Sequence, residues 1–118
     1  MAQKDELGRR GEQVAAEWLQ ERGYTLIDRN WRCSAGELDL VLRDGSTMVF
    51  AEVKTRSSLE FGHPFEAITS RKAARLRRLA AAWCREREPG APSVRIDAVA
   101  VTDAWSGNPN VEHLTGIA

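Results

Sequence analysis

The sequence predicts a mixed α/β fold, with helices packed on a central sheet. Three observations lead there. Two stretches carry apolar residues at helical spacing, and several shorter ones alternate or run apolar in the manner of strands. Turn-forming residues separate the stretches in the order helix, three strands, helix, strand, strand. The chain has 118 residues, 42% of them hydrophobic, which suits one modest core in a single domain.

The elements follow in order. Residues 4–22 read as a helix, with Leu7, Val14, Ala15, Trp18 and Leu19 on one stripe and Gly23 as the stop. Tyr24 to Ile27 is a short apolar strand. Residues 28–35 are polar and read as a loop around Trp31. Gly36 to Arg43 and Thr47 to Thr55 are strands, joined by the hairpin signal Asp44-Gly45. Residues 57–68, SSLEFGHPFEAI, are turn-rich and read as irregular, with His63 a turn residue. Thr69 or Ser70 caps a helix over about 70–87, whose core stripe is Leu76, Leu79, Ala80 and Trp83. EPGAP breaks it. Val94 to Val101 is a fourth strand, and a weak fifth covers Val111 to Leu114.

Composition excludes several classes. No segment approaches a membrane span, and MAQKDELGRR lacks the apolar run of a signal peptide, so a cytoplasmic protein is expected. Cys33 and Cys84 lie far apart and read as two reduced thiols. Neither His63 nor His113 has a neighbour at zinc spacing. Net charge is zero, but residues 1–68 carry nine Lys/Arg against twelve Asp/Glu, and residues 69–118 carry eight against five.

The chemistry-bearing stretch is VFAEVKTR, Val49 to Arg56, where Glu52 and Lys54 share one strand face. On the preceding strand Glu37, Asp39 and Val41 take one face, and Leu38, Leu40 and Leu42 the other. A two-residue turn pairs Asp39 with Phe50, and a four-residue loop pairs Asp39 with Glu52. Both put Asp39 with Glu52 and Lys54, whereas a three-residue loop puts Asp39 on the opposite face. Two carboxylates on adjacent strands repel unless a cation lies between them. Mg²⁺ takes hard oxygen ligands, and a lysine beside it can hold a water or stabilise charge on a phosphate. A metal with a lysine is suited to phosphodiester hydrolysis. The alternative is a solvated, purely structural Glu-x-Lys pair.

Asp39, a twelve-residue gap, then Glu52-Val53-Lys54 resembles the PD-(D/E)xK nuclease signature. The element order is similar to that of its Holliday-junction-resolvase branch. Four stretches, GRRGEQVAAEWLQERGYTLIDRNWR, GELDLVLRDGSTMVFAEVKTR, FGHPFEAITSRKAARLRRLAAAW and VRIDAVAV, resemble the small bacterial YraN family over roughly residues 8–101. The resemblance implies a restriction-endonuclease-like mixed sheet flanked by helices, order α-β-β-β-α-β-β. It implies one nuclease-like domain over 1–118, with a core of about 4–102. It also implies a Mg²⁺- or Mn²⁺-dependent endonuclease acting on DNA, branched or otherwise structured. Asp39 and Glu52 would bind the metal with the Val53 carbonyl, and Lys54 would position or activate the water. Glu12 matches a further acidic position near the metal. Leu38 stands where the signature has proline, and VEHLTGIA matches the family's apolar ending loosely. Resolvase-like relatives act as dimers, which makes a homodimer an expectation. The alternative function is a nucleic-acid-binding module with the nuclease fold and weak or no catalysis.

Supporting residues follow from position. Gly8, Gly11 and Ala15 let the first helix approach the sheet, so that Glu12 can point inward. Arg71, Arg75, Arg78 and Arg85 fall within about 80° at 100° per residue, roughly 130° from the core stripe. They form a basic ridge that can meet phosphates or simply face water. Lys72 projects near the core stripe, and family resemblance favours a site role for it. Thr55 and Arg56 extend the strand towards the same end as candidate phosphate contacts. Asp97 shares a face with Arg95 and reads as a structural ion pair. Trp31 and Trp105 are candidate base-stacking residues in loops, while Trp18 and Trp83 belong to the core.

Overall fold

The computed structural model describes residues 5–58, 62–90 and 93–118. The expected helix start at residue 4, residues 59–61 of the irregular stretch and residues 91–92 of the helix-breaking turn lie outside them. The order is α1 (Glu6–Glu21), β1 (Thr25–Cys33), β2 (Gly36–Asp44), β3 (Thr47–Arg56), a 3-10 turn (Pro64–Ala67), α2 (Ser70–Arg87), β4 (Ser93–Thr102) and β5 (Asn110–Leu114). The strands form one mixed sheet in the order β1-β2-β3-β4-β5. All neighbours are antiparallel except β3 and β4, which run parallel because α2 carries the chain back between them. This is the α-β-β-β-α-β-β arrangement expected from the sequence.

Each sheet face is covered by one helix. Val14, Ala15, Ala16 and Leu19 of α1 pack on Leu40, Leu42, Val49, Ala51, Val53, Val99 and Val101. Leu76, Leu79, Ala80 and Trp83 of α2 pack on Trp31, Leu38, Val41, Met48, Phe50 and Ile96. Local chemistry sets the helix ends. The Asp5 carboxylate accepts the Gly8 N–H at 2.7 Å at the start of α1, and Thr69 Oγ1 accepts the Lys72 N–H at 3.2 Å at the start of α2.

Three sequence readings need correction. The loop assigned to residues 28–35 is mostly strand, since β1 runs on to Cys33. Its polar composition misleads because β1 is a sheet edge with a largely wet outer side, and β2 supplies its pairing. Trp31 is therefore a buried core residue facing α2, unable to stack on a base. The hairpin turn is Gly45-Ser46, closed by Asp44 opposite Thr47, with Gly45 at φ +61°. It carries the register that the sequence assigned to the longer loop, with Leu40 opposite Ala51. Finally, Leu38 does not share the Leu40 and Leu42 face. It packs under α2, while they pack under α1.

That last break positions the site. Trp31 pairs with Leu38 and Arg29 with Leu40, which brackets Asn30 against Asp39. Asn30 has φ +53°, the left-handed region that asparagine tolerates better than most residues. The side-chain alternation of β2 slips at this point, and the β2–β3 pairing ends at Leu40 and Ala51. The two central strands part there.

Candidate functional site

The parting of β2 from β3 gathers acidic side chains. Carboxylate oxygens of Glu12, Glu37 and Asp39 all lie within 4.8 Å of one another. Glu12 comes from α1, and Glu37 and Asp39 from β2. Glu12 is 3% exposed and Asp39 6% exposed, so water does little to weaken their mutual repulsion. Glu12 reaches inward because α1 sits very close to the sheet. A Cβ on Gly11 would meet Thr55 Oγ1 at 1.8 Å.

Each carboxylate has a donor. Asn30 Nδ2 donates to Glu12 Oε1 at 2.8 Å. The Val53 backbone N–H donates to Asp39 Oδ2 at 2.9 Å. The Arg32 guanidinium pairs with Glu37. The Asp39 bond matters most for the sequence reading, because it ties the acidic group to the residue between Glu52 and Lys54.

Glu52 and Lys54 stand beside each other on β3, with Lys54 Nζ 3.6 Å from Glu52 Oε2. Their strand parity is that of Met48 and Phe50, towards α2. The close acidic group therefore joins Asp39 to Glu12 and Glu37, with Glu52 outside the 4.8 Å set, which corrects the expectation that Asp39 shares a face with Glu52 and Lys54. Thr55 packs against Gly11, and Arg56 Nη1 turns back to the Thr55 carbonyl at 3.0 Å. On α2 the side chains of Arg71, Arg75, Arg78 and Arg85 are exposed and that of Lys72 is half-buried.

Asn30, Glu37 and Arg32 had no assigned role from the sequence. The spacing of Glu37 and Asp39 was a usable signal for Glu37. Asn30 gave only a weak one, because a polar residue between Arg29 and Trp31 reads as loop.

Other candidates resolve into structural roles. Asp97 is fully buried and accepts from Arg95 Nε at 2.8 Å, Arg95 Nη2 at 2.9 Å and the Gly116 N–H at 3.0 Å. It also meets His113 Nε2 at 2.8 Å. Burial pushes its carboxyl up, but these bonds outweigh burial and hold it below the usual carboxylate range. The Arg95–Asp97 pair is thus structural, as its spacing suggested. His63 caps the 3-10 turn, accepting the Phe65 N–H at 3.1 Å through Nδ1 and pairing with Glu112 through Nε2. Burial, and then Glu88, push the Cys84 thiol up, which makes it a poor nucleophile. Trp83 is core, whereas Trp18 is half-buried with the Arg22 guanidinium 3.6 Å over its ring. Trp105 is 64% exposed. Among the described residues no helix is long and apolar enough to cross a membrane.

The model of Uncharacterised protein family UPF0102 matches residues 11–101. The chain belongs to that family. Members similar to it include the UPF0102 protein of Leifsonia xyli subsp. xyli, 59% identical over 117 residues covering 99% of each chain. The UPF0102 protein of Beutenbergia cavernae is 58% identical over 117 residues, again 99% of each. That of Frankia alni is 55% identical over 116 residues, 98% of this chain and 97% of the other. The family match spans α1 from Gly11, the three-strand unit, α2 and most of β4, and so contains Glu12, Glu37, Asp39 and Glu52.

Proposed function

We propose that this protein is a Mg²⁺-dependent endonuclease of the PD-(D/E)xK type, hydrolysing phosphodiester bonds in branched or otherwise structured DNA. One observation carries the reading. Three acids converge within 4.8 Å where β2 leaves β3, and Asp39 is bonded to Val53 between Glu52 and Lys54. The donor set fits a hard divalent cation, since it offers carboxylate oxygens from separate elements, two of them buried. Asp39, Glu12 and Glu37 would hold the ion, with the Val53 carbonyl as a further ligand from β3, and Glu52 would join them on release from its pair with Lys54. When bound, Mg²⁺ supplies Lewis-acid stabilisation of charge on the phosphate and a lowered water pKa.

The chain's own residues do the rest. Lys54 Nζ donates to the attacking water and orients it in line with the leaving oxygen. The same ammonium offsets charge gathering on the phosphate oxygens. Arg32 holds Glu37 within the acidic group. Lys72, Arg56 and Thr55 contact flanking phosphates, and Arg71, Arg75 and Arg78 extend that contact along α2.

A second reading is favoured by a specific observation. Lys54 already pairs with Glu52 and Arg32 with Glu37, and neutral N–H donors bond Glu12 and Asp39, so each acid already has a partner within the protein. A nucleic-acid-binding module with little catalysis would have this character.

Cleavage of junction, flap and duplex DNA with Mg²⁺ or Mn²⁺ separates the two. Wild type should cut at least one substrate, and Asp39→Asn should lose cleavage by 100-fold or more, roughly the loss of a main electrostatic contributor. Salt-sensitive binding with no cleavage by either protein selects the binding module. No binding at low salt removes both readings.

A further inference from the structure

We infer that Asn30 is the positioning residue of the acidic site, setting the Glu12 carboxylate for cation binding through one side-chain bond. The inference rests on the metal reading above and adds a residue and a role to it. Asn30 is the non-glycine residue that takes a left-handed backbone inside β1, at φ +53°. A strand interior ordinarily excludes that conformation, since it breaks the alternation and interrupts regular pairing. Here the cost brings a return at a defined atom. The turned backbone presents Nδ2 to Glu12 Oε1 at 2.8 Å. The partner is a carboxylate acceptor, so the amide nitrogen and not its oxygen must face it.

The position explains why the bond is needed. Glu12 lies within 4.8 Å of two other acids and is almost fully buried. Glu37 is held by an arginine of its own hairpin, and Asp39 by a backbone N–H. Glu12 comes from a different layer, on a side chain one methylene longer than that of Asp39. A donor fixed in β1 orients it towards the group before any cation arrives. Partners of this kind, one bond removed from the ion, typically change metal affinity by 10- to 100-fold when lost.

The variant that isolates the side chain is Asn30→Gly, because glycine keeps φ near +53° at no steric cost. Direct Mn²⁺ binding, read from the free-ion resonance signal, is measured on wild type, Asn30→Gly, Glu12→Gln and the double variant. Melting temperatures in chelator accompany each. The expected result is 10- to 100-fold weaker Mn²⁺ binding by Asn30→Gly, with a melting temperature within a few degrees of wild type. In the Glu12→Gln background the same change should weaken binding no further. Unchanged Mn²⁺ affinity in Asn30→Gly, where wild type binds, overturns the role of Asn30 and leaves the metal reading intact. Equal weakening with and without Glu12 also overturns it, since Asn30 would then act through something else. Absence of Mn²⁺ binding by wild type overturns the metal reading itself, and the inference with it.

Discussion

Asp97 keeps its charge at the centre of a sheet because four hydrogen bonds replace the water it has lost. Its carboxyl is held below the ordinary range, so it adds stability that is complete above the unfolded value of about 3.9. That stability is lost as pH falls through the folded value. Asp97→Asn should therefore cost about 3 kcal/mol at neutral pH, read as a lowered melting temperature. The gap from wild type should shrink as both proteins are titrated below about pH 4. Trp105 belongs to the same scale. Its loop is anchored by Arg10 Nε on the Ala104 carbonyl at 3.0 Å, and Ala104 is itself core. A large exposed ring on an anchored loop is suited to stacking on an unpaired base. On the nucleic-acid reading, Trp105→Ala should weaken binding of gapped or single-stranded DNA by about tenfold, and Trp105→Phe should retain most of it. Titration in chelator measures this independently of cleavage.

At the scale of elements, the approach of α1 to β3 decides whether the acids meet. Gly11 touches Thr55 so closely that an added methyl must displace the helix, since Thr55 is too short to swing away. Gly11→Ala should cost about 1–3 kcal/mol in chemical denaturation. On the nuclease reading it should also reduce cleavage more than the stability loss explains, because Glu12 is the next residue. The α2 surface makes a separate claim. If Arg71, Arg75, Arg78 and Arg85 meet phosphates, changing all four to glutamine lowers the slope of log affinity against log salt. The drop should be about 0.9 for each lost duplex contact. An unchanged slope would mark the ridge as a solvated face.

Across the whole molecule, charge and layers divide in a consistent way. The acidic residues come from α1 and β2 in the first half, and the basic ridge from α2 in the second. The chain is neutral overall, yet it brings a close acidic group and a basic helix surface to one sheet. Period-3.6 stripes fixed both helices, and the apolar strands β3 and β4 were legible because burial on two faces leaves little else possible. The pairing of Glu52 with Lys54 and the inward turn of Glu12 followed from spacing and from small neighbours. β1 was read short, since an edge strand with a wet face carries the same polar residues as a loop. Asn30 could not be recognised, because the tolerance of asparagine for the left-handed region is a weak signal that does not single out one position. The sequence by itself determined the element order, the two helical core stripes and the candidacy of Asp39, Glu52 and Lys54. Only the tertiary structure decided that Asp39 joins Glu12 and Glu37 and bonds Val53. The alternation of β2 slips where β1 turns left-handed, and strand periodicity cannot foresee a slip that depends on a neighbouring strand.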